Sequence, residues 1–133
     1  MTKEEQTLYD FKDGNGPVPA HRHSNGGGWV ANTATVADTA YVGSYAKVYG
    51  YAAVFDDAKV YASARVYDNA LVFDNARVCG NAQVYGNASV GGNAKISDDV
   101  WVYGNTKVHG YTKMYGNIKV SGDAIVYNNT IRI

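Results

Sequence analysis

Cysteine occurs once in this chain, at Cys79. That excludes an internal disulfide and a multi-cysteine metal site. Proline occurs only at Pro17 and Pro19, so glycine carries the turns. Histidine is limited to His21, His23 and His109, too few for an obvious ligand cluster. There is no excess of charge of either sign: Lys and Arg number 12, Asp and Glu number 12. Bulk charge therefore points to no partner class. No apolar run approaches the length of a membrane span, so none is expected. The opening residues, Met1-Thr2-Lys3-Glu4-Glu5-Gln6, lack the apolar core of a signal peptide. A cytoplasmic chain of one domain is the expectation.

What is present is a period of six. Ala76-Arg77-Val78-Cys79-Gly80-Asn81 is followed by Ala82-Gln83-Val84-Tyr85-Gly86-Asn87 and then by Ala88-Ser89-Val90-Gly91-Gly92-Asn93. The pattern holds from Gly28 to Asn129 without an insertion, and Thr130 to Ile133 begin another copy. Such self-similarity marks a repeat architecture, and six is a β-helix period. Residues 1–27 do not repeat. Asp13-Gly14-Asn15-Gly16-Pro17 reads as a turn, and His21 to Gly28 as a glycine-rich approach to the first rung. A solenoid needs its terminal repeat covered, so residues 1–27 are expected to cap residues 28–133.

Physics assigns the positions within each hexad. Ala and Val are two apart and face one side of a strand. They are the consistently apolar columns, so they point inward. The residue between them and the residue after Val then face solvent. The last two are Gly, Asp or Asn, which tolerate the positive φ of a tight corner. A strand that bends every six residues closes a triangular coil after eighteen. This pattern resembles the left-handed parallel β-helix of hexapeptide-repeat proteins, a family that includes acyltransferases and gamma-class carbonic anhydrases. The resemblance implies an all-β fold of about six triangular coils over residues 28–133. The family's enzymes often carry Gly directly after the aliphatic residue; here Tyr or Phe usually stands there and Gly follows one later. Gly27 to Val30, Gly-Gly-Trp-Val, also resembles uncharacterised bacterial and phage hexapeptide-repeat proteins. That likeness implies a phage or mobile-element protein that blocks a host factor.

Stacked coils place residues eighteen apart above one another, at roughly 4.8 Å. One outward row then holds Tyr49, Tyr67, Tyr85 and Tyr103, and another Phe55, Phe73, His109 and Tyr127. The third holds Tyr61, Cys79, Ser97 and Tyr115. The column between Ala and Val is basic, with Lys47, Lys59, Arg65, Arg77, Lys95, Lys107, Lys113 and Lys119. Acids stand at the corners: Asp56, Asp57, Asp68, Asp74, Asp98, Asp99 and Asp123. Cross-strand pairing accounts for much of this pattern. Exposed aromatic rows also mark interfaces. The binding residues expected on that basis are Tyr49, Tyr67, Tyr85, Tyr103, Phe55, Phe73, Lys47, Arg65, Arg77 and Lys95.

No residue earns a catalytic or metal-ligating role, and no cofactor is expected. His109 lies in an outward row without an evident carboxylate partner. His21 and His23 form a His-x-His pair without a third ligand. Rows of Tyr with rows of Lys and Arg resemble a single-strand binding platform. Against nucleic acid stand the zero net charge and a rung spacing of roughly 4.8 Å set against about 3.4 Å between bases. Ice binding needs regular exposed Thr rows, whereas Thr106, Thr112 and Thr130 fall in inward columns. A non-enzymatic scaffold that binds a protein partner remains, with an acyltransferase site between subunits, or a small nucleotide or oligonucleotide ligand, as the alternative. Ile125, Ile131 and Ile133 on an unfinished last coil predict self-association as a dimer, with a trimer implied by the family.

Overall fold

The two inward columns dictate the architecture. Each hexad lays down a short strand, such as Lys59–Val60 or Arg77–Val78, and then turns. A computed structural model describes residues 7–132, without the side chain of Arg132. Every regular element among these residues is a strand. Together they form a parallel β-solenoid of about six turns with three sheets. Strands pair with those one coil above and below. Arg77 lies opposite both Lys59 and Lys95, and Gln83 opposite both Arg65 and Trp101.

The corners follow from one backbone position. From Gly50 onward the fifth residue of the hexad is left-handed: Gly80 has φ 64°, Gly86 65°, Asp68 58° and Asp74 57°. Gly has no Cβ to clash there, and Asp is among the few other residues that tolerate it. Asp also does a second job. Asp56 Oδ2 accepts from the Asp74 amide at 3.1 Å, Asp68 from Gly86 at 3.1 Å, Asp74 from Gly92 at 3.0 Å and Asp98 from Gly116 at 3.0 Å. A corner carboxylate thus satisfies the backbone donor of the corner one coil later. Most of the acidic corner expected to be surface charge is structural.

The core is the stacked Ala and Val columns, from Val30 to Val126. Burying each Val side chain contributes roughly 1.5–3 kcal/mol. Inward residues grow toward the C-terminal coils, where Ile96, Val100, Thr106, Thr112 and Met114 replace the smaller pattern. Thr112 Oγ1 donates to the His109 carbonyl at 2.8 Å. Thr106 Oγ1 is buried and has no hydrogen-bond partner.

The non-repeating start extends the first sheet. β1 (Leu8–Asp10) and β2 (Pro17–Arg22) form an antiparallel hairpin, and β2 pairs antiparallel with β3 (Trp29–Ala31). Residues 23–28 cover the neighbouring third sheet. There the Gly28 amide donates to Val42 at 2.9 Å, and the Val42 amide donates to Asn25 at 3.0 Å. A Cβ on Gly26 would run into the Val42 carbonyl, which explains the glycine at this crossing.

Two sequence expectations are corrected. Tyr49 and Cys79, placed in solvent-facing rows, are only 5% and 7% exposed. Phe11 of the hairpin stacks on Tyr49 with ring centroids 4.7 Å apart, and a non-repeating segment cannot be foreseen from the period. The last coil also slips by one residue. Thr130 pairs with Lys113 and Ile131 with Met114, so Ile131 packs on the core and Thr130 is outward. An unbroken period would have sent Arg132 inward. A shift of one exchanges the faces, and an isoleucine in the core costs far less than an arginine. Asn128, with φ 53°, absorbs the missing residue, and its Oδ1 accepts from the Tyr111 amide at 2.9 Å. Ile125 remains 69% exposed, whereas Ile133 lies outside the described residues.

Candidate binding faces

A period of six folded into coils of eighteen sends every third hexad to the same sheet. The outward residues therefore separate into three faces of different chemistry, and the expected binding residues are divided among them.

The first face is an aromatic ladder. Phe11, Tyr49, Tyr67, Tyr85 and Tyr103 stack with centroid spacings of 4.7, 4.8, 4.9 and 4.9 Å. The three Tyr–Tyr pairs are nearly parallel, within 4°. Tyr67 Oη donates to Gln83 Oε1 at 2.7 Å. Two of the lysines on this face lie on rings. Lys119 Nζ is 4.4 Å from the Trp101 ring centre, and Lys47 Nζ is 5.6 Å from that of Tyr9. Burial raises the pKa of Tyr49, Tyr67 and Tyr85, and the adjacent phenols push Tyr67 up further. Arg65 partly offsets this at Tyr49. These hydroxyls stay protonated near neutral pH, and their rings serve one another. The rings of this face are largely engaged with one another.

The second face is nearly uncharged. Phe55 and Phe73 stack at 5.4 Å, and the Phe73 ring lies over Gly91, where a Cβ would meet it at 2.5 Å. Leu71, Ser89 and Ala53 fill the basic column's place here. Charge appears only later, at Lys107. His109 is exposed, with its ring 4.5 Å from that of Tyr127 and tilted by 40°.

The third face is cationic. Lys59, Arg77, Lys95 and Lys113 stand in direct register on four successive strands. In the neighbouring row, a hydrogen bond with Cys79 raises the Tyr61 pKa, burial adds to it and Arg77 opposes it. Beside the cations runs a groove of about 510 Å³ lined by Asn75, Arg77, Asn93, Ala94, Lys95 and Lys113. Arg77 and Lys95 are thus the only expected site residues on this face. Lys59, Lys113, Asn75 and Asn93 join them. Reading the basic column every eighteen residues rather than every six isolates this row.

The remaining histidines bind the hairpin region to the first coil. His21 Nδ1 donates to Asn32 Oδ1 at 2.7 Å, and His23 Nε2 donates to the Ala40 carbonyl at 2.9 Å. Among the described residues no group of three His, Cys, Asp or Glu side chains is placed to hold a metal ion. No helix among them is long and apolar enough to cross a membrane.

Comparison with known proteins agrees with the architecture. Two overlapping stretches, residues 64–80 and 76–92, match the family model described as YdcK Beta solenoid repeat. Neither the comparison with curated proteins nor that with solved structures found a match. The matched stretches, with the stacked sheets, make this a β-solenoid repeat protein.

Proposed function

We propose that this chain is a non-enzymatic binding protein, built as a left-handed hexapeptide β-helix, whose third face docks an acidic surface of a protein partner. The observation that carries the reading is the row Lys59, Arg77, Lys95 and Lys113 in direct register. The whole chain is electrically neutral. The concentration of cations on one face is therefore local, and a local field steers an oppositely charged partner. Blocking a host factor, as the resemblance to phage proteins implies, is one form of such docking. The exposed Ile125 and the Phe55–Phe73 pair of the second face support side-by-side self-association.

The test is cross-linked capture from the native host with matched variants. Arg77→Glu with Lys95→Glu is expected to lose the captured partner, whereas Lys119→Glu on the first face keeps it. Loss with Lys119→Glu alone would move the site to another face. An acyltransferase is the competing reading. Clear thermal stabilisation by acetyl-CoA would favour it, because a ligand specific to the native state raises apparent stability.

A further inference from the structure

The cationic row breaks a local rule of sheet pairing. Lys59, Arg77, Lys95 and Lys113 each face another cation across the sheet. Like charges directly opposite destabilise a sheet. The same column on the first sheet mixes Trp29, Lys47, Arg65, Gln83 and Trp101. On the second it reads Thr35, Ala53, Leu71 and Ser89 before the first charge. The first sheet sets like charges opposite once, at Lys47 and Arg65, whereas the third does so on four successive strands. A local rule broken without compensation is characteristic of a functional site.

The row also borders a concavity. Arg77, Lys95 and Lys113 line the groove together with the corner residues Asn75 and Asn93. Asp57 lines a cavity with Lys59, Asn75 and Arg77 at one end of the row, and that cavity does not reach Lys95 or Lys113. Beyond Asn93 the corner column continues to Tyr111, which is 72% exposed.

We propose that this groove binds a linear oligophosphate lying along the solenoid axis. Cations recur at the rung spacing of roughly 4.8 Å, so three of them span about 10 Å. A short phosphate chain presents anionic oxygens continuously over that length. The planar guanidinium of Arg77 forks onto one phosphoryl group, and Lys95 and Lys113 act as point charges on the next. The amides of Asn75 and Asn93 donate to non-bridging oxygens. An extended acidic peptide matches less well, because its same-face side chains recur at about 6.7 Å. The phosphates belong either to a free inorganic chain or to a nucleoside polyphosphate, whose base would rest on Tyr111.

This inference shares its face with the docking reading but does not require a protein partner. Calorimetry on the full chain at low salt, with inorganic tripolyphosphate, ATP and orthophosphate as probes, tests it. Tripolyphosphate is expected to bind about tenfold or more tighter than orthophosphate, since each added charge-assisted contact strengthens binding. Lys95→Gln is expected to weaken tripolyphosphate by about tenfold while raising the melting midpoint of the free chain. A merely structural Lys95 would not produce that opposite pair of effects. If the natural ligand is a nucleoside polyphosphate, ATP exceeds tripolyphosphate and Tyr111→Ala removes the advantage, about tenfold. Equal affinities for the two identify the inorganic chain. Equal affinities for orthophosphate and tripolyphosphate, or no effect of Lys95→Gln, overturn the proposal. A chain that ignores tripolyphosphate yet still captures an acidic protein overturns this inference and leaves the docking reading standing.

Discussion

A corner of this solenoid is decided by one residue. Left-handed backbone favours Gly, and Asp adds a carboxylate that reaches the next corner's amide, as Asp68 does for Gly86 at 3.1 Å. Ala62 does neither, although its φ is 56°. A non-glycine residue in this region costs about 1–2 kcal/mol. Ala62→Asp is therefore expected to stabilise the chain by about 1 kcal/mol, through a better-tolerated φ and a new bond to the Gly80 amide. Urea denaturation reads this directly; an unchanged or lower midpoint would show that the corner bonds add nothing. The Gly/Asp alternation was legible in the sequence as corner chemistry. Its hydrogen-bonding role was not, because it depends on which corner lies one coil away.

At the scale of elements, the sheets were legible and their edges were not. Strict alternation of Ala and Val sets strand, inward face and coil length, so every paired strand from Trp29 to Val126 follows the hexad. The hairpin carries no period, and Phe11, which buries Tyr49, comes from it. At the last coil the sequence held a signal in Arg132, a charge falling in an inward column; the one-residue slip resolves it. The Tyr ladder has its own pH signature. Folded-state pKa values of the ladder's Tyr49, Tyr67 and Tyr85 lie above the ordinary phenol value. Groups raised by folding stabilise fully below the unfolded pKa of about 10 and lose that contribution as pH rises above it. The urea midpoint is expected to fall between about pH 9 and pH 12. Tyr67→Phe should make the fall shallower, since the most strongly shifted phenol is gone. A midpoint flat across that range would contradict the ladder's burial.

At the scale of the whole molecule, three faces differ in chemistry though the repeat is one. Rings satisfy the first face, the second is apolar, and the third carries charge in register. Sequence named Arg77 and Lys95 together with Lys47 and Arg65, which sit on the first face. Composition hid the asymmetry, because corner acids balance the row in the total. Like charges in register along the row destabilise the free chain until a ligand or partner neutralises them. Thermal denaturation of Arg77→Gln with Lys95→Gln at low and high salt tests it most directly. Each relieved like-charge pair is worth roughly 0.2–1 kcal/mol, and salt screens exposed charges. The double variant is expected to melt higher than wild type at low salt and to converge with it at high salt; a lower midpoint at low salt, or no difference, would show that the row carries no such strain.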